Sequence, residues 1–206
     1  MSNLALFDLE EPEPTEGRDP LDRYYTPEWA TQALVDYLAH RLVGGVWDPC
    51  CGKDWGGRVI RKASGVEKFW GSDIDPGAAC VHDDENGHRE FSDTSRDFMT
   101  TVFQFTPHWI ITNPPYRSGE LTATDFVRRA RGYGCSVAML LRLTWLEPCA
   151  DRVDILTEDP PTDILILPRV NFIGGQGSNP CTSAWLVWDR SNKGRPTRTA
   201  WHRRNA

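Results

Sequence analysis

The tetrapeptide Asn113-Pro114-Pro115-Tyr116 is the part of this 206-residue chain with the clearest chemical use. Two consecutive prolines remove two backbone donors and stiffen the loop, which leaves its carbonyls free to accept hydrogen bonds from a bound group. The side-chain oxygen of Asn113 and the carbonyl of Pro114 can together take both hydrogens of an NH2 group, while Tyr116 offers a face on which a planar ring can rest. Holding the hydrogens turns the nitrogen lone pair outward and concentrates electron density on it, which activates an amine. Taken alone, the same four residues also suit a proline-rich turn.

Three carboxylate-bearing segments precede it: Asp48-Pro49-Cys50-Cys51-Gly52, Asp73-Ile74-Asp75-Pro76 and Asp97-Phe98. A carboxylate at the end of a second parallel strand is placed to accept both hydroxyls of a ribose, and Asp73 follows the first segment at the separation dinucleotide sites show. That points to a nucleoside cofactor. The first segment is not a Gly-x-Gly-x-x-Gly loop, and Lys53-Asp54-Trp55 offers no phosphate cradle, so the cofactor is expected to lack a pyrophosphate. An ordinary strand-to-helix turn would also account for residues 48–52.

The elements that must position these groups follow from periodicity. Thr26 suits an N-cap, Pro27 the first helical position and Glu28 the first turn, and Ala30, Ala33, Leu34, Tyr37, Leu38 and Leu42 then recur at three and four. This predicts an amphipathic helix ending at Gly44-Gly45. Short apolar runs at 46–47, 68–72, 108–112, 135–141, 163–168 and 184–188 read as strands, and 124–131 and 144–153 as helices. Such alternation predicts an α/β fold with a mostly parallel sheet and helices on both faces, whose ligands lie beyond the carboxyl ends of the strands.

Composition narrows the class further. No apolar run approaches the roughly 20 residues of a membrane span, and no secretory signal is visible, so a cytoplasmic protein without membrane contact is expected. The six cysteines form no CxxC pair and are expected to stay reduced; Cys80, His82 and His88 match no common zinc spacing, and no metal is expected. Residues 1–20 hold six acids against Arg18 and three prolines, and read as a disordered acidic tail; 191–206 read as a basic tail flanking a domain at 21–190. The net charge of −6 excludes duplex binding by bulk attraction, leaving local patches or the basic end for any polyanion.

Together these segments and their order resemble the S-adenosylmethionine-dependent amino-group methyltransferases, specifically the adenine DNA methyltransferases of the gamma arrangement. The resemblance runs from Tyr24 to about Trp188. Tyr25-Thr26-Pro27 looks like their cover over the methionine part of the cofactor, and Asp48, Pro49, Cys50 and Gly52 like the cofactor loop. Asp73 and Ile74 resemble the ribose and adenine contacts, Asp97 and Phe98 the grip on the cofactor adenine. Asn113, Pro114, Pro115 and Tyr116 match the catalytic motif without a change. Phe172, before a Gly-rich loop, resembles the aromatic that stacks on a flipped base, with Tyr116 and Arg117 as further substrate contacts.

The resemblance implies a single Rossmann-like methyltransferase domain with a seven-stranded sheet. It implies direct methyl transfer to the 6-amino group of adenine, with RNA adenine, protein glutamine or an inactive binding module as alternatives. Two departures stand out. Lys53-Asp54 replaces a usual second glycine, and only 90 residues follow Tyr116, leaving no room for the family's target-recognition domain. Weak sequence specificity is therefore expected, in a compact build like that of phage enzymes. Asn3-Leu4-Ala5-Leu6-Phe7 resembles peptides that dock on a sliding clamp.

Overall fold

The computed structural model describes residues 24–83, 89–90, 95–102, 106–172 and 181–203. Helix α1 (Glu28–Leu38) leads into strand β1 (Gly44–Asp48), short helix α2 (Trp55–Ile60) and strand β2 (Val66–Gly71). Two-residue strands β3 (His82–Asp83) and β4 (Arg89–Glu90) precede β5 (Trp109–Thr112). A small hairpin, β6 (Arg117–Ser118) and β7 (Leu121–Thr122), then feeds α3 (Ala123–Gly132) and β8 (Ser136–Arg142). Helix α4 (Val153–Glu158) and strands β9 (Asp163–Ile166), β10 (Ser183–Trp188) and β11 (Arg198–Trp201) complete the fold.

The main sheet has the order β11-β9-β10-β8-β5-β1-β2-β3-β4. Its seven strands of four or more residues run parallel except β10, which is antiparallel to both neighbours. The expected seven-stranded, mostly parallel sheet is therefore present, with β3 and β4 as a short antiparallel edge. Alternation along each strand sends side chains to two cores. Val46, Ile111, Leu140 and Trp185 meet Leu34 and Leu38 of α1 and Ile60 of α2 on one face. Trp47, Ile110, Met139 and Leu186 meet Phe126 and Val127 of α3 and Ile155 of α4 on the other.

Several boundaries differ from the sequence expectation, each for a local reason. The N-cap of α1 is Pro27 rather than Thr26: Pro27 is extended (φ −61°, ψ 142°) and its carbonyl accepts from the N–H of Ala30 at 2.9 Å. The helix stops at Leu38 because Ala39 turns to φ 48°, and a 3-10 turn carries the buried Leu42 onward, so Gly44 and Gly45 begin a strand instead of ending a helix. The helix expected at 144–153 is instead a 3-10 turn, Leu143–Leu146, and the separate α4. Glu147, preceding Pro148, is held extended (φ −67°, ψ 131°), as a residue before proline favours.

The segment read as a basic tail supplies β11, which pairs parallel to β9. The buried carboxylate of Asp163 ties this edge together, accepting from Tyr37 Oη at 2.8 Å and pairing with Arg41 at 3.2 Å and Arg198 at 2.5 Å. The acidic segment 1–20 lies outside the described residues.

Candidate active site

Asp48, Thr112 and Arg142 are the last residues of β1, β5 and β8, and Asp73 follows β2, so the parallel strands deliver four polar side chains to one rim of the sheet. That rim is where open α/β sheets bind ligands. A cavity of about 150 Å³ opens there. Pro49, Cys50, Gly52, Asp73, Ile74, Asp97 and Phe98 line it together with Tyr25, Asn113, Pro114, Pro115 and Tyr116. A smaller adjoining space adds Thr26 and Asp48. Fourteen residues singled out in the sequence are thus brought to one place.

The first loop is held by carboxylates. Asp48 Oδ1 accepts from Thr112 Oγ1 at 2.7 Å and from the N–H of Cys50 at 3.1 Å. Burial pushes its carboxyl up to about 7, against the lowering effect of those two hydrogen bonds. Asp73 links both loops: Oδ2 accepts from the N–H of Gly52 at 2.9 Å and Oδ1 from the N–H of Asp75 at 2.8 Å. Burial raises its carboxyl as well. A carboxylate has about four acceptor sites, so Asp73 keeps acceptor capacity beyond these backbone bonds. Gly52 sits at φ 53°, and a Cβ there would stand 2.9 Å from the ring of Tyr25, so that ring lies against this loop only because the residue is glycine.

Lys53-Asp54 stands where the resemblance leads one to expect a second glycine. Asp54 itself takes the left-handed conformation, φ 61°, in which glycine is at ease. Its carboxylate is fixed by a two-pronged pair with Arg61, at 2.9 and 2.6 Å, with both side chains largely buried.

Asp97 and Phe98 form the opposite wall. The Asp97 carboxylate accepts from the N–H of Met99 at 2.9 Å and from Thr100 Oγ1 at 3.2 Å, which fixes the turn. Phe98 is buried edge-on against Trp47, with ring centroids 5.2 Å apart. Ile74, 49% exposed, leaves an apolar face toward the cavity.

Asn113 carries the distinctive feature. Its Nδ2 donates to the carbonyl of Tyr24 at 2.8 Å, and its Oδ1 is buried with no hydrogen-bond partner. A buried acceptor left open costs about 1–3 kcal/mol, so the site is built to receive a donor there. Tyr116 lies beyond the two prolines with the guanidinium of Arg142 4.7 Å from its ring centroid.

One expected substrate contact stands apart from the cavity. Phe172 is 6% exposed and packs edge-on against Tyr24 at 6.2 Å, within the core of the α1 face rather than on the cavity wall. Arg117 opens β6, and its side chain, like the Gly-rich segment 173–180, lies outside the described residues. His88 and the His82 side chain do so too, while Cys80 Sγ touches Cys51 Sγ at 3.2 Å as free thiols. Among the described residues no group of three or more His, Cys, Asp or Glu side chains is placed to hold a metal ion. Nor is any described helix long and apolar enough to cross a membrane.

Three contributors escaped the sequence reading. The Tyr24 carbonyl carries no side-chain signal. Thr112 and Arg142 did carry one, a polar residue closing a buried apolar strand at the ligand-binding rim.

No protein-family model matches the sequence, and no curated protein matches it. The fold does have solved counterparts. The chain is similar to a putative class I S-adenosylmethionine-dependent methyltransferase from Listeria monocytogenes (TM-score 0.59, 14% identity, 88% of this chain and 66% of that one). It is similar to a type I restriction-modification methyltransferase subunit from Streptococcus thermophilus (0.58, 14%, 84% and 45%). A putative RNA methyltransferase from Pyrococcus horikoshii also aligns (0.61, 14%, 82% and 88%). The chain thus spans about two thirds of the first and under half of the second. The architecture is the Rossmann-like fold of S-adenosylmethionine-dependent methyltransferases.

Proposed function

We propose that the protein transfers a methyl group from S-adenosylmethionine to the exocyclic 6-amino group of adenine in DNA, with little sequence discrimination. The observation that carries this reading is the Asn113 amide: with Nδ2 committed to the Tyr24 carbonyl, Oδ1 faces the site as an open acceptor for an amine hydrogen. The cavity residues fit the cofactor. Its ribose hydroxyls suit Asp73, its adenine suits Ile74, Asp97 and Phe98, and Tyr25 and Thr26 cover the loop beside Asp48.

When bound, the cofactor supplies an electrophilic methyl on a cationic sulfur. In their ionised forms Asp48 and Asp73 would favour that charge, against the burial that raises both carboxyls. Asn113 Oδ1 and the Pro114 carbonyl hold the two amine hydrogens, and Tyr116 supports the plane of the acceptor. Holding the amine in line supplies much of the rate, since orientation alone removes several kcal/mol of barrier. An adenine in a duplex must be rotated out to reach the buried Asn113 oxygen, at a cost of a few kcal/mol.

Low discrimination is supported by the residues between Tyr116 and Trp188, whose described part goes into the sheet and its helices. Arg117 remains a proposed substrate contact, and Phe172 is one only if its ring leaves the packing against Tyr24. Docking of residues 3–7 on a sliding clamp would raise the local DNA concentration. Removing residues 1–10 is then expected to abolish clamp capture, and unchanged capture would remove that partner.

The deciding experiment is transfer of labelled methyl to duplex DNA, single-stranded DNA, RNA and a glutamine peptide, with Asn113→Ala beside the wild type. Label recovered as 6-methyladenine from DNA and lost in the variant is the expected result. Label in RNA or the peptide alone would reassign the acceptor, and absence of cofactor binding would leave a binding module.

A further inference from the structure

Strand β8 is buried from Ser136 to Leu141 and then ends on a cation, Arg142. The guanidinium reaches the Tyr116 ring, 4.7 Å from its centroid, while Nε is buried without a hydrogen-bond partner. Ser183 stands directly opposite Arg142 in the antiparallel register with β10, is fully buried, and its hydroxyl likewise has no partner. Two polar groups left open at one strand end are a cost that a merely structural position would avoid. What they accompany is the placement of a cation on the face of one ring.

Arg142 ties that ring to the main sheet from outside its own loop. Pro114 and Pro115 stiffen the chain up to Tyr116, but beyond it the backbone enters the two-residue hairpin of β6 and β7, outside the main sheet. Arg142 is fixed from the other side: β8 is paired along its length with β5 and β10, and Thr112 lies opposite Met139, three residues before Arg142. The end of β8 therefore meets the loop that follows β5 at the ring of Tyr116.

We propose that Arg142 is the positioning residue for Tyr116, holding its ring at the tilt against which a flat heteroaromatic acceptor stacks. This rests on the methyl-transfer reading above. A cation on a desolvated ring face is worth enough to bias the ring orientation by about tenfold to thirtyfold. Arg142 acts through Tyr116 and takes no part in binding the cofactor.

The test is a double-variant cycle with Arg142→Met and Tyr116→Leu, read as kcat/KM for an adenine-containing oligonucleotide and as cofactor Kd. Arg142→Met is expected to lower kcat/KM about tenfold to thirtyfold with cofactor Kd unchanged. Arg142→Lys, which keeps the cation, is expected to recover most of the loss. In the Tyr116→Leu background Arg142→Met is expected to cost nothing more. An equal loss in both backgrounds, or no loss in either, overturns the proposal. A second readout separates it from the function itself: the ring resonances of isotopically labelled Tyr116 should shift in Arg142→Met and return in Arg142→Lys. If no acceptor is methylated, the function falls, and these resonances still decide the link; an unmoved Tyr116 signal refutes it.

Discussion

The side-chain amide of Asn113 donates to the main-chain carbonyl of Tyr24, 2.8 Å away and 89 residues earlier in the chain. The main chain at Tyr24 thereby decides which end of the Asn113 amide is left open toward the cavity. Flipping the amide would set two acceptors against each other and turn the NH2 group toward the substrate amine.

Asn113→Ala is therefore expected to lower kcat by about 10²–10³, the usual effect of removing one positioned polar group from a reacting centre. Asn113→Asp should be as damaging despite keeping an oxygen, because a carboxylate cannot donate to the Tyr24 carbonyl. Single-turnover methyl transfer, with cofactor Kd measured in parallel, checks both. Loss of cofactor binding in step with activity would point to collapse of the site.

Asp48 predicts an unusual dependence on pH. Burial holds its carboxyl at about 7, whereas in the unfolded chain it titrates near 4. Between those values the folded protein keeps a proton the unfolded chain has lost. The contribution to stability is thus full below about pH 4, falls as pH rises toward 7 and is flat above, amounting to on the order of 4 kcal/mol. Asp48→Asn keeps an oxygen for Thr112 and for Cys50 N–H, and is expected to flatten this slope and raise stability at pH 8 in urea titrations.

Ligand affinity should move the opposite way. Ionised Asp48 favours a cation, so S-adenosylmethionine should bind more tightly as pH rises through about 7, and more so than S-adenosylhomocysteine, whose sulfur is uncharged. Calorimetric titration of both ligands at pH 6 and 8 measures the difference. An equal change for the two would assign the effect to something other than the sulfonium charge.

How much of this was legible in the sequence depends on whether a feature is local. Asp48, Asp73 and Asn113 could be read because each closes or closely follows an apolar run, and a parallel sheet gathers such ends on one rim, while Asp97 was read from its order along the chain. The Tyr24 contact could not, since a backbone carbonyl has no residue-type signature. Strand β11 was missed because as an edge strand it is mostly exposed and shows no apolar alternation in Arg-Thr-Ala-Trp. Phe172 could be singled out by order along the chain, but its burial against Tyr24 is a tertiary fact.

The cysteines offer a check on the two loops that carry the site. Cys51 and Cys80 are buried in mutual contact, and Cys135 is buried at the start of β8, whereas Cys149 is exposed. The hydrogen bond with Cys80 and burial push the Cys51 thiol upward, and burial lifts Cys135 to about 11, so neither forms the reactive thiolate near neutral pH. Alkylation of the native protein at pH 7.5, followed by peptide mass spectrometry, is expected to label Cys149 and spare Cys51, Cys80 and Cys135.

The ion pair of Asp54 and Arg61 supplies the last prediction. Arg61→Met leaves a buried carboxylate on a residue already in the left-handed conformation, and is expected to cost about 3–5 kcal/mol in urea unfolding. Adding Asp54→Gly removes the stranded charge and restores the residue suited to φ 61°, so the double variant should be more stable than Arg61→Met alone. If the two changes simply add, the carboxylate is not what Arg61 compensates, and the loop holds its left-handed turn through its backbone bonds, such as that from the N–H of Asp54 to the Cys51 carbonyl at 2.9 Å.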